Sequence, residues 1–124
     1  MKKNFTNEEI SKIVCAMVGK LFTRINKAGN IEVINPARKN KYEKFVLYLT
    51  PNGRYLWRRW FDECYCYPLN RVNRKDKKTI TSYYDGEEHV YEYYNWAKNA
   101  EFNTVDEAIK YFAGYMKRYH NVKI

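Results

Sequence analysis

The chain is poor in the residues that most often carry chemistry. It holds three cysteines, two histidines and five glycines in 124 residues, and each shortage excludes something. Cys15, Cys64 and Cys66 are too few and odd in number for a disulfide framework, so free thiols are expected. Cys64-x-Cys66 is half of a tetrahedral zinc site. A closed site needs four ligands, and neither a Cys-x-x-Cys pair nor a His-x-x-x-His pair supplies the others. His89 and His120 stand far apart, so neither a metal nor a cofactor is expected. The glycines occur singly, which rules out a Gly-rich loop cradling phosphates. Acids are the minority charge, 14 against 23 Lys and Arg, and they are dispersed. Glu8, Glu9, Asp106 and Glu107 fall at helix starts and Asp85 at a turn. Cys15 has no histidine near it in sequence to activate it. With no nucleophile, base or metal motif, catalysis is not expected. No apolar run approaches the roughly 18 residues that span a bilayer. Met1-Lys2-Lys3-Asn4 leads into an amphipathic stretch, where a secretion signal would have an apolar core. A cytoplasmic location and no membrane partner are the expectation.

What the chain does have is positive charge and rings. The formal net charge is +9, aromatic content is 18%, and 13 residues are tyrosine. Such a balance draws polyanions but does not define a fold. The size fits one domain spanning 1–124, long enough to bury a core without staples.

Charge and rings meet in the stretch from Lys44 to Phe61, which reads as a β-hairpin. Both arms are β-branched and aromatic. Pro51-Asn52-Gly53 fits a three-residue loop, with Gly53 in the left-handed position that turns a type I turn into a bulge. This loop sets Thr50 opposite Arg54, Leu49 opposite Tyr55, Leu47 opposite Trp57 and Phe45 opposite Arg59. Because side chains alternate across a strand, one face carries Phe45, Leu47, Leu49, Tyr55 and Trp57 and belongs against a core. The other carries Lys44, Val46, Tyr48, Arg54, Leu56, Arg58 and Trp60. Arginines neutralise phosphates and rings stack on bases, so Arg54, Arg58, Tyr48, Trp60 and Lys44 are the candidate ligand-binding residues. The basic loop Ala37–Lys41 leads into the Lys44 end and adds Arg38 and Lys39. The same face, apolar at its centre, equally suits a subunit interface or a protein partner.

Around this hairpin, Thr6-Asn7-Glu8-Glu9 forms a capping box with Phe5 and Ile10 as its staple. Apolar residues then recur at helical spacing through Ile25, predicting a helix to about Asn26 that ends at Ala28-Gly29. Ile31–Ile34 reads as a short strand stopped by Pro36. Alternation past Phe61 predicts that the second hairpin strand continues as far as Pro68. Asn70–Lys78 reads as a long polar loop whose Arg71 and Arg74 are placed to clamp an anion. Thr79–Tyr84 and Glu87–Tyr93, joined by Asp85-Gly86, predict a second hairpin. Thr104-x-x-Glu107 caps a last helix running to about His120, with Phe102 anchoring its start and the stripe Val105, Ala108, Ile109, Phe112, Met116 and Tyr119 facing the core.

The run Glu101-Phe102-Asn103-Thr104-Val105-Asp106-Glu107-Ala108, with Tyr111 or Phe112 following and His120-Asn121 closing, resembles the helix signature of Apetala-type DNA-binding domains. Those domains also occur in phage homing endonucleases and integrases. The resemblance implies a three-stranded sheet that reads the major groove and a supporting helix. This chain differs in placing a long segment between its basic hairpin and that helix, and Asn121 where glycine is usual. The order of helix, strands and helix is similar to that of double-stranded RNA-binding domains, without the Lys-rich start of their last helix. Size, composition and absent catalytic parts are similar in type to phage and mobile-element accessory proteins, some of which act against host defences in the host cytoplasm.

Together these readings predict an α+β fold. It comprises an N-terminal amphipathic helix, an antiparallel sheet of four to six strands and a C-terminal helix, with the helices on one sheet face. The expected function is non-enzymatic binding of a phosphate-bearing, base-containing ligand, nucleic acid first. The alternative is an accessory protein that sequesters a nucleotide-derived anion or inhibits a defence nuclease complex. The alternative is expected to act as a homo-oligomer.

Overall fold

A computed structural model of the chain describes residues 4–62, 66–70, 72–84, 86–96 and 100–124, with little more than the backbone given for 72–84 and 91–96. In chain order the elements are α1 (Asn7–Met17), β1 (Phe22–Ile25), β2 (Ile31–Ile34), β3 (Lys44–Leu49), β4 (Tyr55–Trp60), β5 (Cys66–Pro68), β6 (Val72–Tyr84), β7 (Glu87–Trp96) and α2 (Val105–His120). Strands β1 to β5 form one antiparallel sheet in sequential order, and β6 and β7 pair as a separate ribbon.

The central hairpin has the expected register, from Leu49 opposite Tyr55 to Lys44 opposite Trp60. Its loop closes through Gly53 N–H donating to the Thr50 carbonyl at 2.9 Å and Thr50 N–H to the Arg54 carbonyl at 2.8 Å, with Gly53 at φ +74°. A positive φ is cheap for glycine because it has no Cβ to clash.

Both helices lie on the face that carries Phe45, Leu47, Tyr55 and Trp57. Ile13 and Met17 of α1 and Val105, Ala108, Phe112 and Met116 of α2 share one buried cluster with those residues and with Ile31 and Val33 of β2. Trp57 stacks on Phe112 with ring centroids 4.3 Å apart, and its indole N–H donates to the Ala108 carbonyl at 2.9 Å. A tryptophan can be buried this fully only when its one donor is satisfied. Outside the core, Lys12 of α1 reaches Asp106 of α2 at 3.2 Å.

Both helix starts follow from their caps. The Thr6 hydroxyl accepts from Glu9 N–H, and the Glu9 carboxylate accepts from Thr6 N–H. At α2, Thr104 accepts from Glu107 N–H, but the Glu107 carboxylate reaches one residue further back, to Asn103 N–H. Ahead of this cap, Phe102 exchanges two backbone hydrogen bonds with Tyr55 at the start of β4, so the anchor predicted from its ring acts through its backbone as well. Asn121, at φ 54°, closes α2 in the left-handed conformation.

Three readings of the sequence are corrected. First, α1 stops at Met17 and does not run to Asn26. Gly19 takes φ +79°, and Leu21 N–H donates to the Met17 carbonyl to close the turn. Phe22–Ile25 then pairs with β2 across a turn in which the Asn26 side chain accepts from Ala28 and Asn30 N–H. Met17, Leu21 and Ile25 recur every four residues, a spacing that also fits a buried residue followed by a β-strand. Second, β4 ends at Trp60, and β5 returns antiparallel beside it. Third, the predicted polar loop Asn70–Lys78 belongs largely to β6, which pairs with β7 from Val72 opposite Trp96 to Tyr84 opposite Glu87, with an irregularity between Val72 and Lys77. Asn73 to Lys78 contains no apolar residue, so no alternating pattern marks this part of the strand in the sequence.

Candidate nucleic-acid interface

The sheet face opposite the helices takes its residues from every strand. Register places Arg24, Glu32, Val46, Arg58 and Pro68 in one row across it, with Lys44, Trp60 and Cys66 in the next. Val46 and Leu56, the apolar centre, are only 1% exposed. The partly exposed side chains around them, Tyr48, Arg58, Trp60 and Lys44, are what the face presents.

These four form a connected group. The Trp60 indole N–H donates to the Tyr48 hydroxyl at 2.8 Å. The Arg58 guanidinium stands 5.2 Å from the Tyr48 ring centre, and the Lys44 ammonium 5.9 Å from that of Trp60. Both distances are within cation–π range. Burial pushes the Tyr48 hydroxyl above its ordinary pKa against the opposing pull of the Trp60 hydrogen bond, so it stays a neutral phenol that can still donate. Burial likewise raises the Cys66 thiol, against the opposing pull of the Arg58 charge. A protonated thiol is a poor nucleophile and a poor metal ligand.

Glu32 is the part of this face that sequence reading missed. Its carboxylate, 5% exposed, accepts from Arg24 Nε at 2.6 Å, Asn26 Nδ2 at 3.1 Å and Lys44 Nζ at 3.1 Å. Burial alone would raise its pKa, but the three donors together hold it below the ordinary carboxylate value. Two cations of the face are therefore matched from within. The signal was present in the strand Ile31-Glu32-Val33-Ile34, where a lone acid alternates with apolar residues and must point away from the core.

Two depressions flank the Tyr48 ring. One, about 190 Å³, is lined by Leu49, Thr50, Pro51, Leu56 and Arg58. The other, about 220 Å³, is lined by Asn26, Glu32, Lys44, Val46, Trp60 and Asp62. Each is smaller than the roughly 300 Å³ at which small-molecule pockets begin. The first offers an arginine and the second two carboxylates, so an anion suits one side of Tyr48 and a donor-bearing group the other.

The remaining candidates are distributed as follows. Arg54 is held elsewhere: its Nη2 donates to the Glu101 carbonyl at 3.1 Å, and its Nη1 lies 3.8 Å from the Glu101 carboxylate. Asn52 reaches the same carboxylate at 3.4 Å. Arg54 thus ties the hairpin turn to the segment ahead of α2, and the expectation that it joins Tyr48, Arg58 and Trp60 is corrected. The basic loop does stand at the Lys44 end, because Asn40 Nδ2 donates to the Phe61 carbonyl at 2.8 Å. Within it Arg38 is folded back onto the Glu43 carbonyl at 2.6 Å, while Lys39 is exposed. Arg71 and Cys64 lie outside the described residues, and Arg74 is described only by its place in β6.

Among the described residues no group of three or more His, Cys, Asp or Glu side chains is placed to hold a metal ion. No helix among them is long and apolar enough to cross a membrane. An antiparallel five-stranded sheet, two helices on one face and a ring-and-cation cluster around an apolar centre on the other define an α+β protein. No family model matches the chain, and no curated protein and no solved structure matches it.

Proposed function

We propose that the protein is a non-enzymatic binding protein for nucleic acid, and that the ligand lies across the outer face of the five-stranded sheet. The observation that carries this reading is the joined cluster of Tyr48, Arg58 and Trp60. It offers one guanidinium and two large rings on a single face, with a shallow depression on either side of the Tyr48 ring. Depressions too small to enclose a whole nucleotide favour a strand laid over the surface, with one unit seated at each. In this arrangement Arg58 contacts a phosphate, and Trp60 and Tyr48 meet bases, a contact worth roughly 1–3 kcal/mol per base on aromatic platforms. Lys39 and Lys41, both exposed on the loop beside the Lys44 end, extend the track for the backbone.

The test is titration of a labelled single-stranded oligonucleotide, read by anisotropy, against the protein and Arg58→Glu. Charge reversal at the one guanidinium of the cluster should lower affinity tenfold or more while the melting curve stays within about 1 kcal/mol of the parent, as for a surface substitution. Unchanged affinity in a folded variant removes the sheet face from consideration.

A second reading, self-association, is favoured by one edge of the sheet. β1 is the outermost strand. Its Phe22 is 66% exposed and its Ile25 54%, and Val18 at the end of α1 is 67% exposed. An unpaired apolar edge is a template for another strand.

A further inference from the structure

A larger concavity than either depression runs along α2, on a surface the sheet face does not share. It measures about 760 Å³ and is walled by Phe102, Tyr111, Tyr115 and Tyr119, within the size range of sites that enclose a small molecule. The rings stand in two pairs, Phe102 with Tyr111 at 5.3 Å and Tyr115 with Tyr119 at 4.9 Å between centroids. Two of the walls are fixed from behind. The Tyr111 hydroxyl donates to the Leu69 carbonyl at 3.4 Å, and the Tyr115 ring packs edge-on against the core Phe45 at 5.9 Å between centroids. Rings held this way give up little freedom when a flat ligand arrives.

The rim is cationic. Lys110, Lys117 and Arg118 line it, and among the described residues none of the three is within ion-pair reach of a carboxylate. The acid that also lines it, Glu107, is engaged at the helix start with Asn103 N–H. Here the charge is not matched from within, as it is around Glu32.

Gly114 supplies an independent observation. It lies inside α2, where glycine is among the poorest helix formers, and it lines the concavity. A Cβ built on it would meet nothing within 4 Å, so no packing contact in the fold requires its small size. Its effect is to keep the surface open between the two ring pairs.

We propose that this concavity is a binding site for a small aromatic anion of nucleotide size, its ring system between the two aromatic pairs over Gly114 and its negative charge at Lys110, Lys117 and Arg118. The site is separate from the sheet face and does not depend on the reading given to that face.

The test is isothermal titration with two probes, adenosine monophosphate and cyclic di-adenosine monophosphate, against four proteins: the parent, Gly114→Leu, Lys117→Glu with Arg118→Glu, and Arg58→Glu. Saturable, stoichiometric binding of at least one probe is expected. Gly114→Leu should abolish it, the double charge reversal should weaken it tenfold or more, and Arg58→Glu should leave it unchanged. Gly114→Ala should raise the melting temperature by several degrees, which establishes that the glycine is not kept for stability. Should Gly114→Leu fail to fold, the exposed double variant decides alone. Absence of saturable binding for both probes overturns the proposal. Binding that survives both groove variants, or that is lost only in Arg58→Glu, overturns it equally and leaves the sheet-face reading intact.

Discussion

Glu32 decides how much positive charge the sheet face offers. Buried and triply bonded, it matches Arg24 and Lys44. Replacing it with glutamine keeps the shape and removes the charge, with two consequences. Stability should fall by about 1–3 kcal/mol, the usual cost when charged hydrogen bonds in a buried position lose a partner. Affinity for an oligonucleotide should rise, because two cations are released on the face proposed to bind it. Denaturant unfolding and an anisotropy titration measure the two, and lower affinity in a folded Glu32→Gln would contradict the placement of the ligand. His120 makes a second residue-scale prediction. Burial among Phe45 and Tyr115 lowers its pKa from the ordinary 6.5, with Glu43 pulling it up and Arg59 pushing it down. Between the folded value and 6.5 the unfolded chain binds a proton that the folded chain does not, so stability rises with pH there. The contribution is complete above about pH 6.5 and is lost as pH falls through the folded value. His120→Phe, which keeps the ring and removes the titration, should flatten the melting temperature over that window. Glu32 adds a lower step: its depressed pKa gives stability complete above about 4.5 and lost as pH falls further. Tyr48, Arg58 and Trp60 could be assigned to one face from sequence because alternation fixes sides. The pairing of Arg54 with Glu101 could not, since those residues meet only through the three-dimensional packing of the hairpin turn against the start of α2.

At the scale of elements, the helix starts were legible and the first helix end was not. Thr6 and Thr104 each cap by accepting the N–H three residues on, a local bond that sequence spacing reports directly. Thr6→Ala should therefore destabilise the protein by about 1 kcal/mol, measured by urea unfolding. Gly19 ended α1 early, but Val18-Gly19-Lys20 carries no spacing signal of its own, and the apolar positions beyond it kept the helical period. Gly19→Ala tests this reading. With φ at +79°, an added Cβ is strained even though it meets no neighbour, and the loss should be about 1–2 kcal/mol. No loss would mean that the turn has another conformation available. The same locality explains the hairpins. The turns at Gly53 and Gly86 both hold positive φ and were read from the chain, whereas β5 returns beside β4 through a connection that has no such signature. β6 hid in its charges, because Asn73 to Lys78 carries no apolar residue for an alternating pattern to mark.

At the scale of the whole molecule, the question is whether +9 acts as a diffuse charge or through a place. The structure divides the cations. Arg24, Lys44, Arg54, Arg59 and Lys12 each lie within 4 Å of a carboxylate, so they attract a polyanion only weakly. Near the sheet face Lys39 and Lys41 are exposed, and the proposed track uses these two together with Arg58 to meet phosphates. Three neutralised phosphates on a single strand give a slope of about −2 for log affinity against log salt, at roughly −0.7 per phosphate. Attraction to the net charge as a whole, counted as nine phosphates, would give about −6. Titration of one oligonucleotide across a salt series separates the two. A slope near −2 that becomes shallower by about 0.7 in Lys39→Ala supports a defined track over the sheet. A slope near −6, insensitive to Lys39 and Arg58 alike, would mean that the chain binds nucleic acid through bulk charge. In that case the cluster of Tyr48, Arg58 and Trp60 would be a structural feature of the outer sheet face.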